Sequence, residues 1–459
     1  MVVRIRDPVH NFLRLWEDEV KVVGTPLLQR LRGVKQLALA CLVYPGALHT
    51  RFDHSLGVTH VAGMMAEALE LDKDELELVR LAALLHDVGH GPFSHVSEYS
   101  LDRYANRAQL PNDQKREKIH ELITVHMIRN DRDLIALIGQ NKCDQLAKLL
   151  SQGHGQPALR SIVSGPLDAD KQDYLLRDSY FCGVRYGIFD IHQLHRSLTL
   201  DGPDDEKELM INPDGIHAVE QFVLAKYYLT TNVYRHKGRL ITDQMLVRAI
   251  TLGIEKDEIK QLVRLYAFDN SEAFYSNYGR WDDARFLHEF GLQAKPSRCR
   301  EMLERLRYRR LLKRVFCSRI NKFRPEAREV LSALPSRESD KLRRDVEREI
   351  AKVLKDVTTQ QVDPDHVIVH AFSVKSVRET ARNDEAGILV ATEPKPRPFE
   401  AESRLFASIN ERYVDEYVEV YAPVTWSTAA ERKRIRRECE KPIRTLLANR
   451  CASAVKGAK

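Results

Sequence analysis

The sequence predicts a mainly α-helical protein with a smaller α+β region after the helical part, and three observations support this. Apolar residues recur with helical spacing through most of residues 1–290. Three short runs rich in β-branched residues stand later in the chain, at His366–His370, Gly387–Ala391 and Tyr417–Tyr421. Basic residues also become dense near the change in pattern. We therefore expect a helical core over residues 1–290 and an α+β region over residues 291–459.

The elements of the expected core follow from local patterns. Helical periodicity predicts helices over Thr25–Leu39, His54–Leu69, Leu76–His86, Ile119–Arg129, Asp144–Leu150, Ala218–Tyr234 and Thr242–Leu252. A short strand is expected at Asn11–Leu15, and Leu198–Leu200 with Leu209–Ile211 predicts a hairpin around an acidic turn. Leu101–Lys118 is polar and irregular, and it predicts a surface loop.

Composition narrows the class of protein. The 459 residues are 30% charged and 43% hydrophobic, with a formal net charge of +6. This mild basicity suits an anionic substrate without requiring nucleic acid. No apolar run approaches the roughly 20 residues that span a bilayer, and the N-terminus has no signal-peptide pattern. Seven scattered cysteines predict reduced thiols. We therefore expect an intracellular protein, cytoplasmic or nuclear, with no membrane partner.

Four residues that are far apart in sequence share one chemistry, namely His54, the pair His86-Asp87, and Asp170. Two imidazoles and two carboxylates form a mixed nitrogen and oxygen ligand set that suits a divalent metal ion with open coordination positions. The residues do not distinguish manganese, iron, zinc or magnesium. The set predicts a metal-dependent hydrolase.

The surroundings of His86-Asp87 strengthen this interpretation. The apolar run Val79–Leu85 predicts a buried helix, and Gly89 and Gly91 end it just past the pair. Polar side chains at the end of a buried helix are costly unless they are paired or bound to a ligand.

Several longer motifs occur in one order along the chain. They are Asp7–His10, Thr25–Arg32, Lys35–Leu37, Tyr44–Ala47, Arg51–Gly57, His86–His95, Asp170–Tyr174 and Tyr234–Lys237, with a later piece from Pro398–Glu400 to Tyr421–Pro423. In these motifs the chain resembles the HD-domain deoxynucleoside triphosphate triphosphohydrolases, on the branch whose vertebrate members add a SAM domain. We expect no SAM-like domain before this core.

The resemblance implies that water splits a dNTP, dGTP included, into deoxynucleoside and inorganic tripolyphosphate. It implies a metal bound by His54, His86, Asp87 and Asp170, which would polarise the α-phosphate. A general acid must protonate the leaving 5′ oxygen, and our choice is His95 because histidine exchanges protons near neutral pH. The residues expected to assist or orient it are His90, His120 and Glu121. Loop ordering is the alternative role for His90 and His95.

Substrate contacts can also be carried over from the resemblance. Arg51 would hold the α- or β-phosphate, and Lys171 the more remote phosphates. The expected sugar-reading set is Gln36, Leu37, Tyr174 and Asp178. A tyrosine against the 2′ carbon would exclude a ribose hydroxyl. Tyr234 would stack on the base, with a core position as its alternative. Lys226 stands where relatives often have arginine, which weakens bidentate phosphate binding there.

The sequence also indicates how the protein could be regulated. The resemblance allows an activating nucleotide and a homo-oligomer, dimeric or tetrameric. Gly24 replaces a guanine-reading aspartate of the vertebrate branch, so guanine-specific activation is not expected. The remaining candidate allosteric residues are Arg4, Arg6, Gln29 and Arg32. Region 291–459 is the expected regulatory and oligomerisation part.

The sequence leaves two alternatives open, one for a group of basic residues and one for the function of the metal site. Arg305, Arg309, Lys313 and Arg314 have helical spacing, which fits either a solvated helix face or a phosphate- or nucleic-acid-binding surface. The metal site also allows other functions: a phosphodiesterase or nuclease acting on single-stranded nucleic acid or another nucleotide, or a catalytically silent nucleotide sensor. Control of dNTP supply, and with it restriction of foreign DNA replication, is the physiological role that the resemblance implies.

Overall fold

The structure is a computed structural model that describes residues 2–112, 114–151, 156–203, 206–375, 387–409 and 414–457. Helices dominate it and the strands form small sheets, which confirms the predicted fold class. The strands are β1 Val3–Asp7, β2 Asn11–Leu15, β3 Leu198–Asp201, β4 Glu208–Ile211, β5 Lys313–Arg319, β6 Ile368–Lys375, β7 Leu389–Val390, β8 Arg397–Pro398 and β9 Val414–Ala422.

The helices are α1 Glu17–Val23, α2 Pro26–Gln29, α3 Arg51–Ala68, α4 Lys73–Leu85, α5 His95–Tyr104, α6 Ile119–Asn130, α7 Arg132–Ile138, α8 Gln140–Leu150, α9 Pro157–Val163, α10 Ala169–Cys182 and α11 Ile191–Arg196. They continue with α12 Ile216–Leu229, α13 Lys237–Glu255, α14 Lys260–Tyr266, α15 Glu272–Tyr278, α16 Asp283–Phe286, α17 Arg298–Arg307, α18 Pro325–Ala333, α19 Asp340–Thr358, α20 Phe399–Glu402, α21 Arg404–Ala407 and α22 Ala429–Gly457.

The chain forms two compact units, each built from three separate segments. The first unit comprises residues 1–234, 263–286 and 377–412, and the second comprises 235–262, 287–376 and 413–459. The chain passes from the first unit to the second after Phe286, close to the predicted boundary at residue 290. The regulatory assignment of region 291–459 stays a prediction.

Helix α3 is the central helix of the first unit. Thr50 caps its N-terminus, where its side chain accepts a hydrogen bond from Asp53 N and Asp53 bonds back to Thr50 N. Most residues of this helix are buried on all its faces, as expected for a helix inside a core. It packs against both α4 and α10. The three helices therefore form a rigid base for the polar residues they carry.

The second unit is organised around an antiparallel sheet of order β5-β9-β6. Helices α18, α19 and α22 supply further apolar residues of its core, including Leu331, Ile350 and Leu447. A buried ion pair joins Arg248 Nη2 to Glu347 Oε1 at 2.6 Å, and the same oxygen accepts a hydrogen bond from the backbone of β6. The Glu347 carboxylate on α19 therefore holds α13 through Arg248 and strand β6 through its backbone.

Several predicted elements are confirmed, and one long helix was wrong. The predicted hairpin is β3 with β4, and the three later strand patterns coincide with β6, β7 and β9. Thr25–Leu39 is instead the short helix α2 followed by a 3-10 turn and irregular chain. The reason is tertiary: Lys35 pairs with Thr50 in an isolated antiparallel bridge, which requires extended backbone.

Two surface predictions also need correction. The predicted loop Leu101–Lys118 begins inside α5, which continues to Tyr104. The basic residues near residue 310 do not share one helix, because α17 ends at Arg307 and the chain turns through Arg309 at a positive φ of 52°. Within the described residues, no helix is long and apolar enough to cross a membrane.

We predict that Gly57→Ala destabilises the protein. A Cβ atom at Gly57 would lie 1.9 Å from Asp173 Oδ1 and 2.3 Å from Arg177 Nη2, so two buried charged groups would have to move. We expect a loss of about 1–3 kcal/mol in the free energy of unfolding, measured by urea denaturation. Gly279→Ala is the control, because its Cβ would meet its nearest neighbours at 3.4 Å. Equal stability of the two variants would contradict the prediction.

Candidate metal centre

Three predicted ligands meet at one point in the first unit. Nitrogen or oxygen atoms of His54, His86 and Asp170 all lie within 4.8 Å of one another. His54 Nε2 is 2.9 Å from Asp170 Oδ1, and His86 Nε2 is 3.8 Å from the same oxygen. They come from α3, from the residue that caps the C-terminus of α4, and from the first turn of α10. The long separation in sequence is closed by packing of these helices.

The fourth predicted ligand, Asp87, borders the same cluster. Its Oδ1 is 3.3 Å from His86 Nε2 and its Oδ2 is 3.8 Å from His54 Nε2. Arg51 Nη1 forms a buried ion pair with Asp87 Oδ2. Burial opposes the negative charge, but the nearby Arg51 and histidine charges outweigh it and hold the pKa of Asp87 well below its usual range. The carboxylate is therefore ionised and suited to a cation.

The donor set fits a divalent metal ion. His86 Nδ1 donates a hydrogen bond to Ala83 O at 2.7 Å, which leaves the lone pair on Nε2. That buried Nε2 has no hydrogen-bond partner among the residues that the structure describes. A buried nitrogen without a hydrogen bond is costly unless a metal or other ligand satisfies it. Two imidazole nitrogens with two carboxylates match the preferences of borderline divalent ions.

Asp173 supports the cluster from behind, and the sequence interpretation gave it no role. Asp173 Oδ2 accepts a hydrogen bond of 2.7 Å from His54 Nδ1, which directs His54 Nε2 towards Asp170. Arg177 and His10 also donate to this carboxylate, at 2.8 and 2.7 Å. Burial opposes its charge, but Arg177 and the two histidine bonds hold the pKa of Asp173 well below its usual range. The three-residue spacing from Asp170, which places both on one helix face, was the available signal.

A row of histidines lies beside the cluster. His90 Nε2 is 3.4 Å from Asp87 Oδ1, and its ring stacks on His120 with centroids 4.0 Å apart. The exposed His95 ring meets His90 edge-on at 5.8 Å. Burial, and then the Arg51 charge, lower the pKa of His90 well below its usual range, so this ring is neutral. These contacts bring the predicted acid and its neighbours together.

The carboxylate that orients His120 is one that sequence reasoning missed. Glu98 Oε2 lies 2.7 Å from His120 Nδ1, and Glu98 also accepts hydrogen bonds from the backbone N–H groups of Ile119 and His120. Burial opposes its charge, but the bond to His120 outweighs burial and lowers the pKa of Glu98. The predicted Glu121 pairs with Lys118 at 3.2 Å.

Two of the three predicted phosphate contacts, Arg51 and Lys171, are held differently. Arg51 Nε donates to Ser94 Oγ at 2.7 Å, while its buried Nη2 has no hydrogen-bond partner within the described parts of the chain. Lys171 Nζ is already bonded to Asp168 Oδ2 at 2.5 Å and to Gly165 O at 3.0 Å. Arg51 thus has a donor available beside the metal cluster, whereas a phosphate would have to compete for Lys171.

Most of the predicted sugar and base residues also lie close together. Tyr234 O–H donates to Asp178 Oδ2 at 2.5 Å, and the ring of Tyr234 meets Tyr174 edge-on at 6.2 Å. Leu37 belongs to a small apolar cluster against which Tyr234 packs. His49, which the sequence interpretation did not select, holds Asp178 Oδ1 at 2.7 Å. Its proximity to the Thr50 helix cap was the only local signal.

Two further predicted substrate residues are placed as follows. Gln36 is buried, and its Oε1 has no hydrogen-bond partner in the described chain. A buried amide oxygen of this kind suits a hydroxyl donor from a ligand. Lys226 lies near the end of α12, two helical turns before Tyr234.

The four candidate allosteric residues lie on the N-terminal segments. Arg4 and Arg6 project from the exposed face of β1, and Arg6 covers the Phe12 ring at 4.5 Å. Arg32 Nε donates to Gln29 Oε1 at 2.8 Å. Two exposed guanidinium groups therefore lie on one hairpin face, and the bonded pair joins the last residue of α2 to the turn that follows it.

Comparison with known proteins identifies the family. The profile described as HD domain matches residues 51–174, and the one described as HD associated region matches residues 189–437, more than half of the chain. The chain therefore belongs to the HD-domain phosphohydrolases that carry this associated region.

Particular relatives refine this assignment. An uncharacterised protein of Methanocaldococcus jannaschii is 35% identical over 266 residues, covering 57% of this chain and 52% of that protein. Human deoxynucleoside triphosphate triphosphohydrolase SAMHD1 is 29% identical over 345 residues, covering 68% of this chain and 54% of SAMHD1. The matches thus span about half the length of these two curated relatives. A crystal structure of a hypothetical protein from Aquifex aeolicus has 27% identity and a TM-score of 0.68, covering 96% of this chain and all of that one.

We predict that Asp173→Asn weakens metal binding. The amide cannot hold both His54 and Arg177 as the carboxylate does, so the orientation of His54 Nε2 is lost. Changes behind a metal ligand typically reduce metal affinity about 10–100-fold. Titration with Mn²⁺ by calorimetry measures this, with the exposed Asp133→Asn as control. Unchanged affinity in a folded Asp173→Asn protein would contradict the prediction.

Proposed function

We propose that this protein is a metal-dependent dNTP triphosphohydrolase that releases deoxynucleoside and inorganic tripolyphosphate. The observation that carries the proposal is the arrangement of Arg51. Its Nη1 is bonded to Asp87, one of the candidate ligands, and its buried Nη2 has no hydrogen-bond partner in the described residues. A cationic donor next to a metal cluster suits a phosphate that contacts both.

The proposed reaction breaks the bond between the α-phosphorus and the sugar 5′ oxygen. A divalent ion bound by His54, His86, Asp87 and Asp170 would polarise the phosphate and lower the pKa of the attacking water. Arg51 neutralises charge on the phosphate oxygens. The departing 5′ oxygen takes a proton, and His95 is the proposed donor because it is exposed next to the cluster. The neutral His90 and the pair His120–Glu98 orient the row.

Selection for a deoxyribose is proposed to depend on a separate polar group. Asp178 accepts hydrogen bonds from His49 and Tyr234, and each carboxylate oxygen keeps capacity for one more donor. The free Oε1 of Gln36 adds a second acceptor. These acceptors suit a 3′ hydroxyl, while the ring of Tyr174 would exclude a 2′ hydroxyl by contact. Leu37 would complete this sugar-reading set, Tyr234 would stack on the base, and Lys171 and Lys226 would contact the outer phosphates.

Regulation belongs to the same proposal. The exposed Arg4 and Arg6, with Gln29 and Arg32, would bind an activating anionic nucleotide, and homo-oligomers (dimers or tetramers) would form with residues 291–459 taking part. The SAMHD1 relatives, which are named deoxynucleoside triphosphate triphosphohydrolases, support a role in limiting dNTP supply. Restriction of foreign DNA replication would follow from that role and is part of the proposal.

We predict the reaction products. Purified protein incubated with each dNTP singly, and then with all four, should release deoxynucleoside and intact tripolyphosphate when Mn²⁺ or Mg²⁺ is present. Chromatography separates these products. Asp170→Ala should abolish both products because it removes one of the four proposed metal ligands. Monophosphate with pyrophosphate would contradict the proposed bond cleavage. No turnover even in mixtures would favour action on single-stranded nucleic acid or a nucleotide sensor.

We also predict a catalytic role for His95. His95→Ala should lower kcat about 10²–10⁴-fold, the usual contribution of a general acid, while Mn²⁺ affinity is retained. The exposed His217→Ala on α12 is the control, since its side chain is 87% exposed and bonds Glu220. A wild-type kcat in the His95 variant would assign the proton to another group.

A further inference from the structure

A buried carboxylate outside the predicted site joins two of its segments. Asp283, the first residue of α16, is 5% exposed. Its Oδ1 accepts a hydrogen bond of 2.7 Å from Phe93 N, and its Oδ2 accepts one of 3.1 Å from Lys35 N. The two donors are 190 and 248 residues away along the chain. One side chain thus fixes the backbone at two distant points.

The first of these points is a strained turn. Phe93 has a φ of 61° and Ser94 a φ of 53°, which are conformations that residues other than glycine rarely adopt. A backbone in this region is strained, so the surroundings must hold it in place. The bond from Asp283 does this for Phe93, and the Phe93 ring also packs edge-on against Phe286, three residues further along α16, at 5.3 Å.

The second point is connected to the first by side chains. Ser94 Oγ donates to Lys35 O at 2.7 Å and accepts from Arg51 Nε at 2.7 Å. Lys35 is therefore held at its N–H by Asp283 and at its carbonyl by Ser94. The residues that come next in the chain are His95 after Ser94 and Gln36 after Lys35.

We propose that Asp283 is a positioning residue, whose carboxylate fixes the turn before His95 and the backbone before Gln36 in register with each other. The inference rests on the proposed function, in which His95 donates a proton and Gln36 binds the sugar. Asp283 itself touches neither group. It acts by holding two backbone N–H groups, one on each segment.

The charge state of Asp283 makes this positioning sensitive to pH. Burial raises the pKa of Asp283 to about 7, with a small contribution from Asp282, against the two backbone bonds and the Lys35 charge. The Arg30 guanidinium also faces this carboxylate. The carboxylate is therefore a full acceptor above about pH 7. Below about pH 7 the carboxyl group of Asp283 is protonated, and the added proton occupies one of the two oxygens that accept hydrogen bonds from backbone N–H groups. The turn before His95 therefore loosens.

The effect of the same group on stability has the opposite sign. Because the folded pKa lies above the unfolded value of 3.8, the folded state favours the protonated form. Burial of Asp283 therefore costs no stability below about pH 4, where the carboxyl group is protonated in both the folded and the unfolded state. The cost in the free energy of unfolding grows between about pH 4 and about pH 7. A neutral replacement should relieve this cost at alkaline pH while losing one of the two acceptor contacts.

The test compares Asp283→Asn with Asp282→Asn in the full chain at about pH 8. Amide hydrogen exchange measures the two contacts directly. We expect faster exchange at Phe93 or Lys35, at whichever backbone N–H faces the new side-chain NH₂ group, in Asp283→Asn only. We expect kcat to fall about 10–100-fold, as small displacements of reacting groups do. Mn²⁺ affinity and Tm should be maintained, and the gain in wild-type activity on raising pH through about 7 should disappear.

The outcomes separate the two proposals. Unchanged exchange at both amides in Asp283→Asn, or faster exchange throughout with a fall in Tm and in Mn²⁺ affinity, would overturn the positioning role. Absence of dNTP turnover in the wild type would overturn the proposed function, and amide exchange would still decide whether Asp283 positions the two segments. If the variant does not fold, wild-type exchange decides: protection of the two amides, corrected for intrinsic rates, should fall below about pH 7, and a constant value would overturn the inference.

Discussion

The candidate metal-binding cluster of His54, His86, Asp87 and Asp170 depends on one hydrogen bond, which His54 Nδ1 donates to Asp173. Because Nδ1 is bonded to Asp173, the ring of His54 presents Nε2 to Asp170 and His86. The Asp173 carboxylate is itself held by Arg177, which pairs further with Asp7 at 2.9 Å. Removing one partner from a buried ionic network typically costs about 3–5 kcal/mol, because the remaining charge has no partner. Gly57 leaves the space that this network occupies, so helix packing and ligand geometry share one constraint.

The sequence selected candidate ligands that the fold brings together, but it did not select the residues that orient them. His86 and Asp87 end an apolar helix, where polar side chains already require an explanation, and α4 does end at that point. Asp173, Glu98 and His49 act through contacts with residues 22 to 129 positions away. The spacing of Asp173 from Asp170 and the position of His49 before Thr50 are local signals, but they do not identify the partners, because these are set by which helices pack together. Asp283 is a further case, since its role arises only where two distant backbone segments meet.

The same reasoning explains which elements were predicted. Helix α3 was expected from His54 and in fact begins at Arg51, because the capping pair of Thr50 and Asp53 sets its first turn. The hairpin of β3 and β4 was predicted because alternation and turn residues are local signals. The expected helix over Thr25–Leu39 was wrong because Lys35 is required to lie extended against Thr50. Tertiary pairing there overrides a helical pattern of apolar residues.

Arg51 connects the metal cluster with the segments that Asp283 holds. Its Nη1 bonds Asp87, its Nε bonds Ser94, and Ser94 in turn bonds Lys35. Two partners therefore fix the plane of the guanidinium before any substrate is bound, and the remaining Nη2 has a set direction. A phosphate that binds there need not order a flexible side chain, so less of its interaction energy is lost to entropy. A donor fixed in this way also requires little reorganisation as charge develops on the phosphate. In the proposed function, the catalytic value of Arg51 would therefore lie in the two bonds that restrain it as well as in its charge.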